Sequence, residues 1–179
     1  VVVIDTAPLA KMERMKALGA KLIPVPYDIA WKSMGERAFP GIDGTFVHPF
    51  DDHDFIVGHA TMGLEILEDL PGTTAVIGAI GGGGLVAGVG SAIKLLRPEI
   101  KVWGAEPETA APAALSFASG SPQAFTDWRA SFVDGAGGKS VFPSMWERMK
   151  NVVDGSIVVS LDQTRDAMRL MAEKARVIS

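Results

Sequence analysis

The sequence predicts an α/β protein with a mostly parallel twisted sheet and helices on both faces. Three observations carry that expectation. Short apolar runs alternate with segments of helical periodicity along the whole chain, and glycine- and proline-rich breaks separate them. Four consecutive glycines, Gly81 to Gly84, join a run that reads as a buried strand to one that reads as a helix. Such a loop belongs at the carboxyl end of a parallel strand, where sheets of this kind bind their ligands.

Residues 1–4 read as a strand. Thr6 and Pro8 signal a helix to Leu18 with Gly19 as its stop, and residues 21–25 form the next strand, completing a βαβ unit. A second helix is expected over 28–37, ended by Phe39-Pro40-Gly41, and a short strand over 45–47. Asp51 or Asp52 is placed to cap a helix to about Leu70, closed by Pro71-Gly72. A strand over 75–80, the glycine loop, a helix over 85–96 and a strand over 101–105 make another βαβ unit. A helix over 110–117 is followed by a long Gly-, Ser- and Pro-rich loop and a short helix over 144–150. The last pair is a strand over 156–159 and a helix opened by a capping box, with Ser160 as cap and Gln163 as the reciprocal residue. The chain opens inside a strand and stops inside a helix with neither a glycine cap nor a proline stop, so it reads as a piece of a longer protein.

Composition narrows the function. A hydrophobic content of 47% with 21% charged residues suits a packed core, and a net charge of −4 without a basic run argues against nucleic acid or an anionic membrane as partner. The absence of cysteine removes disulfides, thiolate metal sites and a cysteine nucleophile, and is compatible with a cytoplasmic setting. The uncharged stretch from Pro71 to Ile93 is long enough to span a bilayer. Its glycines oppose that reading, because an unwound backbone facing lipid leaves polar groups unsatisfied.

Four glycines at a strand-to-helix turn imply a conformation or clearance that a Cβ forbids. The first N–H groups of the following helix lack internal partners and lie at the positive end of its dipole, so the loop reads as a phosphate cradle. A rival is a dinucleotide site, since Gly82-x-Gly84-x-x-Ala87 matches G-x-G-x-x-G/A and Glu106 ends the next strand about 20 residues on. A P-loop is excluded by the lack of Gly-Lys-Ser/Thr after Gly84. His48, His53 and His59 lie among Asp51, Asp52 and Asp54, but His53 and His59 do not have the spacing that shares a helix face, so capping and packing roles are expected instead of a metal site. Glu106-Pro107-Glu108 reads either as a cation site or as acids at the start of a helix.

The motifs converge in order. Asp5-Thr6-Ala7-Pro8 with Lys11, Leu18-Gly19-Ala20, His48-Pro49-Phe50-Asp51-Asp52, Gly58 to Ile66, the tetraglycine with Leu85, and Gly104-Ala105-Glu106-Pro107 together resemble the threonine/serine dehydratase (threonine ammonia-lyase) family. These are pyridoxal-phosphate lyases of the tryptophan synthase β-like fold (fold type II). The resemblance implies that residues 1–50 form part of a small α/β domain and residues 51–179 an incomplete large cofactor-binding domain. It implies that Gly81, Gly82, Gly83, Gly84 and the N–H of Leu85 hold the phosphate of pyridoxal 5'-phosphate, that Asp134 and Gly135 form a turn beside its ring, and that Glu106 and the carbonyl of Ala110 match a divalent-cation site whose third position is here Pro112. The family's Gly-Gln-Gly-Thr is here Gly58-His59-Ala60-Thr61. The Schiff-base lysine and the loop for the substrate carboxylate are expected upstream of Val1, which leaves no catalytic residue within the chain. The implied reaction converts a β-hydroxy amino acid to a 2-oxo acid and ammonia in a cytoplasmic homo-oligomer, with the piece alone inactive. The competing expectations are an NAD(P)-binding oxidoreductase domain and a non-catalytic anion-binding fragment.

Overall fold

The computed structural model describes residues 1–178. The chain divides into two compact units, Val1–His48 and the residues from Pro49 onward.

The first unit contains β1 (Val2–Ile4), α1 (Leu9–Ala17), β2 (Ile23–Val25) and α2 (Tyr27–Glu36). The strands pair in parallel with Val2 opposite Ile23 and Ile4 opposite Val25, the βαβ arrangement that the alternation predicts. Pro8, not Thr6, occupies the cap position of α1 and makes no side-chain cap bond, while Gly19, at φ +85°, takes the left-handed turn that ends the segment. Tyr27 and Trp31 stack one helical turn apart at 5.5 Å between ring centroids. The strand expected over 45–47 does not form. Those residues have no ladder partner among the described residues, and β-propensity without a neighbouring strand leaves an extended loop.

The second unit contains α3 (His53–Asp69), β3 (Ala75–Ala79), α4 (Gly84–Leu96), β4 (Lys101–Pro107), α5 (Pro112–Ser119), α6 (Pro143–Met149), β5 (Gly155–Val159) and α7 (Leu161–Leu170), followed by a wider π-helical turn over Met171–Ala175. Its three strands form one parallel sheet in the order β3-β4-β5, with Gly78 opposite Gly104 and Trp103 opposite Gly155. Asp52 caps α3, its Oδ1 accepting from the N–H of Asp54 at 3.0 Å. The capping box of α7 is complete: the N–H of Gln163 donates to Ser160 Oγ at 3.1 Å and the N–H of Ser160 donates to Gln163 Oε1 at 2.9 Å. No helix among the described residues is long and apolar enough to cross a membrane.

The core of this unit gathers Ile80, Val86, Val89, Ile93, Ile100, Val102, Met145 and Met149 between one sheet face and α4 and α6. The other sheet face stays open, with Ile77 61% and Ile157 40% exposed. Close approach depends on missing side chains. A Cβ on Gly88 of α4 would lie 2.4 Å from the Ile56 carbonyl oxygen of α3, and one on Gly63 of α3 would lie 2.8 Å from the Val89 carbonyl oxygen of α4. The two helices therefore touch backbone to backbone. Asp154 ties α4 to the sheet: its carboxylate accepts from Lys94 Nζ at 2.7 Å, Lys101 Nζ at 3.0 Å and the N–H of Val102 at 2.8 Å. Burial opposes its ionisation, yet these bonds outweigh burial and hold its pKa at about 2.

Replacing Gly88 by Ala should push α3 off α4 and cost about 2 kcal/mol, the usual scale for overpacking a tight contact. Urea unfolding of the intact protein measures this, and an unchanged midpoint would mean that the helices part freely. Asp154 contributes stability that is fully present above its unfolded pKa near 3.8 and is lost as the pH falls through about 2. Discounted for solvent screening of this exposed residue, Asp154→Asn should cost about 1 kcal/mol at neutral pH, and the gap between variant and parent should close below pH ~2. A gap that persists in strong acid would show that its origin is not ionic.

Candidate functional site

The glycine loop sits where β3 ends and α4 begins. Gly83 precedes the helix at φ +93°, a left-handed conformation that costs a residue with a side chain about 1 kcal/mol or more, and α4 has neither a side-chain cap nor an acid in its first turn. Among the described residues, the backbone N–H groups from Gly81 to Val86 reach no protein acceptor. Gly83 and Gly84 are buried while Gly81, Gly82 and Leu85 are half-buried. Unpaired N–H groups at the positive end of a 13-residue helix form a cradle whose electrostatics suit a phosphate dianion.

The clearance that the sequence suggests is demanded by particular protein atoms. A Cβ on Gly82 would lie 2.0 Å from Phe50 Cγ, one on Gly83 would lie 2.5 Å from Met149 Sδ, and one on Gly84 would lie 2.7 Å from the Phe50 carbonyl oxygen. Protein atoms already fill the space that side chains here would need. The loop is packed tightly from below, which leaves its N–H groups for whatever lies above.

The turn containing Asp134 and Gly135 lies against this loop. The N–H of Gly137 donates to the Ile80 carbonyl at 2.6 Å, and a Cβ on Gly81 would stand 3.1 Å from the Gly135 carbonyl oxygen. Asp134 itself is exposed. Gly137, at φ +73°, passes so close to Ala110 that a Cβ there would be 2.3 Å from its carbonyl oxygen. Thus Ala110, the 134–138 turn and the glycine loop form one contiguous cluster.

Glu106 belongs to a different task from the one the resemblance implies. It is 1% exposed, and both carboxylate oxygens are engaged: Oε1 accepts from the N–H of Ala113 at 2.9 Å, and Oε2 accepts from the N–H of Ala114 and from Ser156 Oγ, each at 2.8 Å. It caps α5 from the neighbouring strand and cross-links β4 to β5. Burial pushes its pKa above the usual carboxylate range, and the bonds from Ala113, Ser156 and Ala114 pull the other way. The cation site expected at Glu106 and Ala110 is not supported, because the carboxylate is spent on helix and strand donors, and the described residues contain no group of three or more His, Asp or Glu side chains able to hold a metal ion. The same engagement removes Glu106 as the free acid that a dinucleotide site needs for a ribose hydroxyl.

Some functional contacts are silent in the sequence. Asp51, 8% exposed, accepts from Ser144 Oγ at 2.7 Å and from Arg148 Nε at 3.2 Å, both on α6. It is not the cap of α3, a role that falls to Asp52. Nothing in local spacing signals partners more than ninety residues away. Glycine clustering does mark a second point of close approach at Gly137.

The pyridoxal-phosphate dependent enzyme family model matches residues 1–179. The chain is 34% identical over 175 residues to an L-threonine ammonia-lyase of Thermotoga maritima, covering 97% of this chain and 43% of that protein. It is 34% identical over 182 residues to the catabolic L-threonine dehydratase TdcB of Staphylococcus aureus, covering all of this chain and 52% of that one. The structure of maize serine racemase superposes with a TM-score of 0.87 at 30% identity, over 98% of this chain and 53% of that one. The chain spans about half the length of the curated relatives it matches. The tryptophan synthase β-like architecture, the uncapped helix start at the end of β3 and the match along the whole sequence agree, and the chain belongs to the pyridoxal-phosphate dependent enzyme family.

Proposed function

We propose that these residues form part of a threonine/serine ammonia-lyase, which converts a β-hydroxy amino acid to a 2-oxo acid and ammonia. The observation that carries this reading is the uncapped N-terminus of α4, six successive N–H groups from Gly81 to Val86 without an acceptor among the described residues, in a chain similar along its length to an L-threonine ammonia-lyase. Pyridoxal phosphate, when bound, supplies an electron-withdrawing ring that stabilises negative charge at the substrate's α-carbon.

The chain's own residues bind and orient. The N–H groups of Gly81, Gly82, Gly83, Gly84 and Leu85 hold the phosphate, and the absence of any acid in the first turn of α4 keeps that end of the site electropositive. The turn at Asp134 and Gly135, tied to the loop through Gly137 and Ile80, forms part of the wall beside the ring. Glu106 keeps α5 and β5 registered behind that wall. In this reading the lysine that carries the cofactor lies outside residues 1–179, the substrate is a small hydroxy amino acid, and the working enzyme is a cytoplasmic homo-oligomer.

Gly83→Ala in the intact protein should raise the pyridoxal phosphate dissociation constant about tenfold, since a left-handed residue at the head of α4 must shift to accept a side chain. Absorbance titration measures it, with circular dichroism to show that the fold is kept, and undiminished affinity would count against the loop as phosphate site. The 179-residue chain alone should release no ammonia from threonine or serine, while the intact protein should. Turnover by these residues by themselves, abolished by replacing one of their own lysines, would overturn the assignment.

A further inference from the structure

A loop whose N–H groups reach no acceptor among the described residues is held mainly through its other side, and here Phe50 meets two of its four glycines. The side chain of Phe50 occupies the volume that Gly82 vacates, its Cγ, Cδ1 and Cδ2 lying 2.0, 2.1 and 2.4 Å from where a Cβ would stand. Its backbone runs beside Gly84, with the carbonyl oxygen 2.7 Å and Cα 3.2 Å from the corresponding point there. The ring leans on Phe142, with centroids 5.5 Å apart at 59°, and Phe142 occupies the cap position of α6. The next residue, Asp51, is buried and bound to Ser144 and Arg148 of the same helix. Met149 of α6 fills the space at Gly83.

We propose that Phe50 is the positioning residue of the phosphate loop: its ring, seated in the gap at Gly82, sets the direction of the N–H groups from Gly81 to Val86, and Asp51 locks that ring to α6. The proposal rests on the reading of the loop as a phosphate site. In this proposal Phe50 acts through the loop and not as a ligand of the phosphate. It removes alternative loop conformations before binding, and affinity rises because less ordering remains to be done.

The test uses the intact protein with pyridoxal phosphate, read by cofactor titration and by the phosphorus-31 resonance of the bound cofactor. Phe50→Ala should weaken binding about tenfold and move the resonance towards the shift of free cofactor, while Phe50→Leu, which keeps Cγ, Cδ1 and Cδ2, should stay within about threefold of the parent. Gly82→Ala should be severely damaging alone and much less so when combined with Phe50→Ala, because the atoms it collides with are gone. Unchanged affinity and an unchanged resonance in Phe50→Ala would overturn the proposal. Should Phe50→Ala fail to fold, Asp51→Asn decides: it keeps the ring but weakens its tether, and unaltered cofactor affinity would equally defeat the inference. The underlying site reading fails separately, if the parent's resonance already matches free cofactor and inorganic phosphate does not compete.

Discussion

The start of α4 is the constraint on which the larger unit depends. A buried helix N-terminus without a cap leaves N–H groups that must find partners, and proteins seldom leave such a debt unanswered. Here the usual devices are absent: no Ser, Thr, Asn or Asp at the cap, and no acid in the first turn. The neighbouring elements instead press on the loop from the apolar side, through Phe50, Met149 and the 134–138 turn. The unit is thus built to hold an uncapped helix end still, which is what electrostatic binding of a phosphate demands.

Acids that bridge elements are handled in the opposite manner. Glu106, Asp51 and Asp154 each carry hydrogen-bond donors drawn from distant parts of the chain. A carboxylate with its oxygens satisfied acts as a clamp between elements and is unavailable to a cation. This explains how Glu106 serves as a cap for α5 and a strut to β5.

The order of elements was legible because it rests on local signals. The period of the apolar residues, the Ser160–Gln163 capping box and the proline and glycine breaks each act within a few residues, and the structure places the elements where those signals lie. The segment over 45–47 was misread because strand formation needs a neighbour, which propensity does not report. At the site, the glycine loop announced itself, whereas the reasons for its glycines did not: Phe50 at Gly82 and Met149 at Gly83 are contacts between separate elements. Asp51 and Asp52 look interchangeable as caps in sequence, and only the partners on α6 separate them.

The sheet order bears on how the larger unit assembles. β3 and β4 pair across a single intervening helix, so that contact closes a short span of chain and the core around Ile80, Val86 and Val102 can condense early. β5 joins only after the long stretch that includes α5 and α6, and Asp154 lies just before that strand, where its bonds to Lys94 and Lys101 tie the late arrival to the first-formed pair. Interactions made after the rate-limiting step govern how fast a protein comes apart more than how fast it forms. If β5 docks after the rate-limiting step, the Asp154 bonds act as a brake on unfolding and have little say in the speed of folding.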